Sequence, residues 1–315
     1  MNKYLIFRTD RIGDFLISSI LINSIKRNDK NSHIIVISSE KNFEYIKNTN
    51  LVDEVILYNT KSILFKFNFF LKNIAKKYKM IAVLDGKKRS IFYTLLNFSK
   101  YKILSTNKLF YKKIFRFFLS NILLDNCFEN KLSEIKYILK ILNFKYEDND
   151  LNILKFTNPK KKQIDDKYII FHLDEKWIYN NYIKTYVNIE PSLNNLVQFL
   201  NELTDKSQKK VVVTTGILSN YLIKDLKNIN INKSIIILEN KNIFDLENII
   251  FFSDLLIACH GAPTHIAGAF NIKNIDIIDL SEKDFFYKWS SHFRNYTCLY
   301  RKNFNLISKE ILDKI

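Results

Sequence analysis

The chain has 315 residues, 47% hydrophobic and 26% charged, which excludes a disordered protein and leaves room for two domains at roughly 100–200 residues each. Three cysteines, Cys127, Cys259 and Cys298, with no CxxC pair, exclude a disulfide scaffold and argue against a structural zinc site. The net charge of +17 is unevenly spread: residues 1–54 carry +1, residues 55–124 carry +14 with Asp85 as their one acid, and residues 125–315 carry +2.

Short apolar runs alternate with amphipathic stretches along the chain. Strands are expected at 3–8, 33–38, 54–57, 80–84, 168–172, 210–214, 234–238, 255–259 and 275–279. Helices are expected between them at 14–28, 40–48, 62–78, 90–98, 131–143, 192–204, 218–227, 245–252 and 264–270. This alternation predicts parallel sheets covered on both faces by helices. The polar, charged stretch 145–166 separates two such series. The expected organisation is a first Rossmann-like domain over 1–150, a linker over 151–166 and a second Rossmann-like domain over 167–315, whose last helix is a candidate to pack back on the first. Ligands of open α/β sheets bind outside the carboxyl ends of the strands, so two facing domains would place a cleft between them.

The apolar run Tyr4–Phe7 before Arg8 is too short for a signal-peptide core, and no run of about 18 residues is purely apolar. The expectation is a cytoplasmic protein, or one attached peripherally to a membrane from the cytosolic side. Free thiols agree with a reducing compartment. Two basic apolar helices, 61–79 and 108–124, suit a membrane surface, although such helices also pack on sheets. No nucleic acid is expected, because the aromatics are mixed with Leu and Ile rather than spaced as stacking platforms.

Three loops have the composition for chemistry. The first, Arg8 to Asp14, joins a buried strand to a helix. Gly13 permits a tight turn or close approach to a ligand, Arg8 and Arg11 suit an anionic substrate, and Asp14 suits a general base or a helix cap. The second, His172 to Trp177, brings Lys176 just past a strand end, where it could neutralise a diphosphate, although its residues fit a solvated charged loop better. The third, Leu255 to Phe270, runs from a buried strand through Gly261, Ala262 and Pro263 into a helix whose first turn holds Thr264 and His265. Free N–H groups at such a helix start make an anion site. There is no GxGxxG, GxxxxGK[ST], GxSxG or HExxH motif, and no catalytic metal is expected.

Taken together, the loops resemble the ADP-heptose:lipopolysaccharide heptosyltransferases, glycosyltransferase family 9. The stretch RTDRIGDFLISSILINSIK, Arg8 to Lys26, resembles the family's opening strand–loop–helix. SDLLIACHGAPTHIAGAFNIKNIDII, residues 253–278, resembles its donor segment, and Lys176-Trp177 and Thr215-Gly216 match further loops. The resemblance implies a GT-B fold and inverting, metal-independent transfer from a nucleotide-diphosphate sugar, with no other cofactor. It casts Asp14 as the base, Arg8, Arg11 and Gly13 on the acceptor side, and Lys176, Thr215, Gly216, Glu247, Gly261, Ala262, Thr264 and His265 around the donor. Its acceptors are lipid-linked glycans. The sequence departs from the family where Asp-Thr-Gly becomes Cys259-His260-Gly261, which keeps open a non-catalytic nucleotide- or glycan-binding protein.

Overall fold

The computed structural model describes residues 1–58, 68, 71, 76–151, 161–179 and 183–315. The chain divides into two compact units, Met1–Asn158 and Pro159–Ile315. Most of the expected linker (152–160) lies outside the described residues, as do thirteen of the nineteen residues of the expected basic helix 61–79, whose last two, Tyr78 and Lys79, open a strand instead of closing a helix.

The first unit is a six-stranded, all-parallel sheet. In chain order its described elements are β1 (Asn2–Phe7), α1 (Ile12–Asn28), β2 (Ser32–Ser38), α2 (Phe43–Lys47), β3 (Glu54–Leu57), β4 (Tyr78–Val83), α3 (Lys88–Leu95), β5 (Ser99–Thr106), α4 (Leu109–Phe115), β6 (Asn121–Leu124) and α5 (Lys131–Ile141). The strand order is β3-β2-β1-β4-β5-β6. The central strands read as unbroken apolar runs because both sheet faces are covered. One face collects Leu5, Phe7, Ile35, Ile37, Ile81, Val83 and Leu104 against Ile91 and Tyr93 of α3 and Tyr111 of α4.

Helix α1 is buried almost all round, from Phe15 to Ile25. Of the polar residues in that run, Asn23 and Ser24 are both satisfied by one carboxyl residue. Ser24 donates to Asp150 Oδ2 at 2.7 Å, and Asn23 donates to the Asp150 carbonyl at 3.1 Å. Arg27 adds two bonds to the same carboxylate, from Nε and Nη2, each at 2.9 Å. Residues 145–151, read from composition as the start of a polar linker, are therefore docked on α1. Their polarity satisfies buried groups.

The second unit repeats the plan with β7 (Tyr168–His172), α6 (Leu193–Ser207), β8 (Lys210–Thr214), α7 (Tyr221–Lys227), β9 (Ile235–Leu238), α8 (Ile243–Phe251), β10 (Leu255–Cys259), α9 (Ala262–Ala269), β11 (Lys273–Ile278), α10 (Lys283–Ser290), β12 (Tyr296–Tyr300) and α11 (Phe304–Leu312). All pairs are parallel, in the order β12-β11-β10-β7-β8-β9. The closing helix α11, a candidate to reach the first domain, gives Phe304, Ile307 and Ile311 to this unit's core beside Phe199 and Trp177.

Three strands escape the apolar-run criterion. β5 opens with SKYK, β6 has four residues, and β12 is an edge strand rich in Tyr. The expected helix over 108–124 is corrected: it ends at Phe115, and Asn121–Leu124 is an edge strand paired with β5. Ser120 fixes the break, accepting the Lys102 N–H at 2.6 Å and donating back to the Lys102 carbonyl at 3.0 Å.

Removing the Asp150 carboxylate strands Arg27 and Ser24. Asp150→Ala is expected to destabilise the protein by about 2–4 kcal/mol in chemical denaturation, less than a fully buried pair because Arg27 is one-quarter exposed. A change below about 0.5 kcal/mol would show the 145–151 segment to be dispensable.

Candidate functional site

In each sheet the chain reverses its direction of strand addition at one place, between β1 and β4 in the first unit and between β7 and β10 in the second. Such reversals leave a crevice outside the strand ends, where loops diverge to opposite faces. The loops singled out in the sequence, 8–14, 172–177 and 259–265, all leave from these four strands.

At the first reversal, Arg8 does not reach outward. It is 4% exposed, donating from Nε to the Asp14 carbonyl at 2.9 Å and from Nη1 to the Leu84 carbonyl at 2.5 Å. It fastens the β1 loop to the end of β4. Arg11 is exposed and precedes α1, with Gly13 buried in the helix's first turn. Asp14 is half-buried, and its Oδ2 accepts the Arg11 N–H at 2.9 Å. The carboxylate thus caps its own helix through one oxygen, while Oδ1 has no hydrogen bond among the described residues. The two roles left open for Asp14 are geometrically compatible.

Sequence reasoning missed the partner loop after β4. Asp85 accepts from Thr9 at 2.6 Å and Ser90 at 2.9 Å, while Lys87 donates to the Thr9 carbonyl at 2.6 Å and Arg89 to the Thr9 hydroxyl at 3.1 Å. Gly86 turns this loop at φ +58°, a left-handed conformation that a side chain would strain. Asp10 is the perturbed group here. Burial pushes its carboxyl up to about 6; Arg8 opposes the shift and the Asp14 and Asp85 charges reinforce it. Its Oδ1 is enclosed without a hydrogen-bond partner among the described residues.

At the second reversal, Lys176 and Asp174 form a buried ion pair, 11% and 4% exposed. Asp174 also accepts the Lys176 N–H at 3.1 Å, which caps the short turn Glu175–Trp177, and has His172 Nε2 at 3.6 Å. Burial opposes both charges, yet Lys176 and His172 hold Asp174 below the usual carboxylate range, and Asp174 holds Lys176 above the usual amine range. Trp177 is a core residue: fully buried, stacked edge-on to Phe171, its indole N–H donated to the His172 carbonyl at 2.8 Å.

The Lys176 ammonium lies against Gly261, where a Cβ would sit 2.7 Å from Nζ. Gly261 is the N-cap of α9. The helix start leaves the N–H groups of Ala262 and Thr264 without intrahelical acceptors, and Pro263 has none to satisfy. A cation and a helix N-terminus therefore converge beside the strand ends, the composition of an anion site.

Beneath the turn lies Asp276 of β11, fully buried. It accepts from His260 Nδ1 at 2.6 Å, Tyr296 at 2.8 Å and Thr264 Oγ1 at 3.0 Å. The Thr264 hydroxyl, expected to face a phosphate, thus points into the fold, and only its backbone N–H is placed for an anion. His265 is buried with its ring edge-on to His260 at 5.0 Å. The turn itself carries no carboxylate; a neighbouring strand provides one from below. Nothing in the local sequence signals this, because 16 residues separate Asp276 from His260.

Thr215 and Gly216 follow β8. Buried Thr215 accepts the Asn240 N–H at 2.9 Å and joins two strand-end loops, while Gly216 has open space where a Cβ would be. Glu247 is buried on α8, the helix packed against α9. Among the described residues no group of three or more His, Cys, Asp or Glu is arranged to hold a metal ion.

No protein-family model matches the chain, and no curated protein matches it in sequence. Solved structures do match in fold. Heptosyltransferase WaaC of E. coli, solved with ADP, superposes with a TM-score of 0.74 at 10% identity, covering 99% of this chain and 100% of that one. The chain has a GT-B-like fold. A glycosyl transferase family 9 structure from Veillonella parvula gives 0.71 at 12% identity over 99% and 91%. The E. coli ADP-heptose lps heptosyltransferase II gives 0.68 at 14% over 100% and 97%.

Two outcomes test this geometry. Lys176→Met and Asp174→Asn should each destabilise by about 3 kcal/mol in denaturant melts, and the double variant by clearly less than the sum, since each single leaves a buried group unpaired; strict additivity would mean the pair is not coupled. An acid raised in the folded state loses stability as pH climbs from about 4 to about 6, because the unfolded chain releases its proton first. Asp10→Asn should therefore melt above wild type near neutral pH, with the gap closing below about pH 4; a gap independent of pH would refute the shift.

Proposed function

We propose that the protein is a glycosyltransferase that moves a sugar, a heptose or a relative, from a nucleotide-diphosphate donor to a lipid-linked cell-surface glycan of the lipopolysaccharide type. The observation that carries the reading is Lys176, held by buried Asp174 against Gly261 at the start of α9. It joins a fold shared with a heptosyltransferase solved with ADP.

In this reading the donor diphosphate lies at the start of α9, between the Lys176 ammonium and the N–H groups of Ala262 and Thr264. As the bond from the anomeric carbon to the phosphate oxygen breaks, the electron pair leaves with the nucleoside diphosphate. Lys176 and the helix start stabilise that developing charge, without recourse to a metal or another cofactor. The acceptor oxygen forms the new bond to the anomeric carbon from the opposite side, inverting it, and its proton passes to the Asp14 carboxylate. Arg11 and Gly13 border the acceptor, while Arg8 acts through the shape of the loop. Thr215, Gly216 and Glu247 belong to the nucleoside end, and His265 supports the turn. The protein works at the cytosolic face of a membrane as a peripheral enzyme; among the described residues no helix is long and apolar enough to cross one.

One observation favours a second reading, a binding protein without transfer: the Thr264 hydroxyl is committed to Asp276, and Cys259 and His260 occupy the turn.

The experiment is a thermal-shift screen with ADP, UDP, GDP and CMP and their sugars, followed by assay of nucleoside diphosphate release with lipid-extracted acceptors. Stabilisation by one nucleotide, lost in Lys176→Met, is expected. Asp14→Asn should keep that stabilisation and lose about 10²–10⁴ in rate. Binding without release of product would select the second reading, and no shift with any nucleotide would remove both.

A further inference from the structure

Between Gly86 and Leu124 the chain has nine Lys or Arg residues and no Asp or Glu. The structure adds where they sit. Helices α3 and α4 cover the same sheet face over neighbouring strands, sending Ile91, Tyr93 and Tyr111 inward. Their outer side is apolar instead of polar. Phe92 is 63% exposed, Phe98 73%, Leu109 61%, Phe110 65%, Phe117 78% and Phe118 62%. Leu96 and Ile114 are exposed as well. Among them stand the exposed cations Lys88, Lys100, Lys108, Lys112, Lys113 and Arg116.

A soluble surface rarely carries so many large apolar side chains together without a partner. We infer that the outer face of α3, α4 and the Phe117-Phe118 tip docks on an anionic lipid bilayer, its aromatic side chains entering the interface and its cations meeting lipid headgroups.

Charge selects this occupant. A second copy of the chain placed face to face would oppose two cationic surfaces with no acid on either. A nucleic acid would satisfy the cations but leave Leu96, Leu109 and Ile114 facing phosphate and water, since aliphatic side chains give bases no stacking surface. An anionic leaflet satisfies both halves at once. Arg116 over the exposed Phe117 ring at 4.6 Å places cation and aromatic at one level, as an interface requires. This surface differs from the helix 108–124 expected from sequence: α4 is short, the aromatic tip follows it, and α3 contributes Phe92 and Phe98. The inference rests on the transferase reading only for its purpose, which is to bring the enzyme to a lipid-linked acceptor.

The test is co-sedimentation of the full chain with vesicles of pure phosphatidylcholine and of phosphatidylcholine mixed with phosphatidylglycerol. Binding to the mixed vesicles alone, weakened by salt, is expected. The triple variant Phe110→Ser, Phe117→Ser, Phe118→Ser should lower partitioning by roughly tenfold per ring, and Lys112→Glu with Lys113→Glu by at least about fivefold per site. Leu306→Ser, 52% exposed on the second unit, should bind as wild type. All these positions are exposed, so unfolding curves should be unchanged. In a Phe117→Trp variant the new indole should shift to the blue on the mixed vesicles. Equal binding by all variants, or binding to duplex DNA without binding to vesicles, would overturn the inference. No nucleotide enters the experiment, so its failure leaves the transferase reading standing and the reverse also holds.

Discussion

The second unit's functional edge depends on one buried ion pair. Asp174 and Lys176 are two residues apart, so the pair could form in any extended loop. Here it forms at a strand end, inside the protein, where neither charge would survive alone. Asp174 orients the turn through its own backbone contact to Lys176, and the ammonium then has one place to go, against the Cβ-less face of Gly261. Arg301 secures the far side by donating to the Lys176 carbonyl at 2.6 Å. A mobile surface lysine would bring a charge to the helix start at an entropic cost; this one is positioned before any anion arrives.

Parallel sheets explain why both loop clusters lie where they do. With both faces covered, the sheets have no wet surface except their ends, and adjacent loops part company only where strand order reverses. β1 and β4 meet that condition in one unit, β7 and β10 in the other. The two edges differ in electrostatic character. The first mixes three aspartates with Arg8, Lys87 and Arg89, and burial raises one of those carboxyls, Asp10, to about 6. The second is organised around the ion pair of Lys176 with Asp174 and the hydrogen bond between His260 and Asp276. Proton transfer suits the first edge and anion stabilisation the second.

Charge is segregated as sharply as chemistry. The excess cations are kept off the second unit almost entirely, and those at Lys88, Lys100, Lys108, Lys112, Lys113 and Arg116 stand on and beside two helices whose exposed rows carry Phe and Leu. On a helix that only covered a sheet, those rows would be Glu, Lys and Ser. The sheet beneath is closed by Tyr111 and Leu119, so the exposed rings are not needed for its core.

The sequence by itself determined the α/β class, the two series of strands and most of their positions. Apolar runs such as YIIF, VVVT and LLIAC, short and mostly rich in β-branched residues, fit strands buried on both faces. It also marked the loops at β1, β7 and β10, because Gly13, Lys176, Gly261 and Pro263 leave local signatures. Strands β5, β6 and β12 were hidden: edge and near-edge strands carry Lys, Tyr and Ser that periodicity reads as loop or helix. The fate of individual side chains was decided only in three dimensions. Arg8 became a buried fastener, Thr264 turned toward Asp276, and Asp85, Lys87 and Asp276 entered the sites from positions 12 to 78 residues away. Local sequence sets what a residue can bond to. Which of those bonds forms depends on the partner that the sheet order brings alongside, and that order is a property of the whole fold.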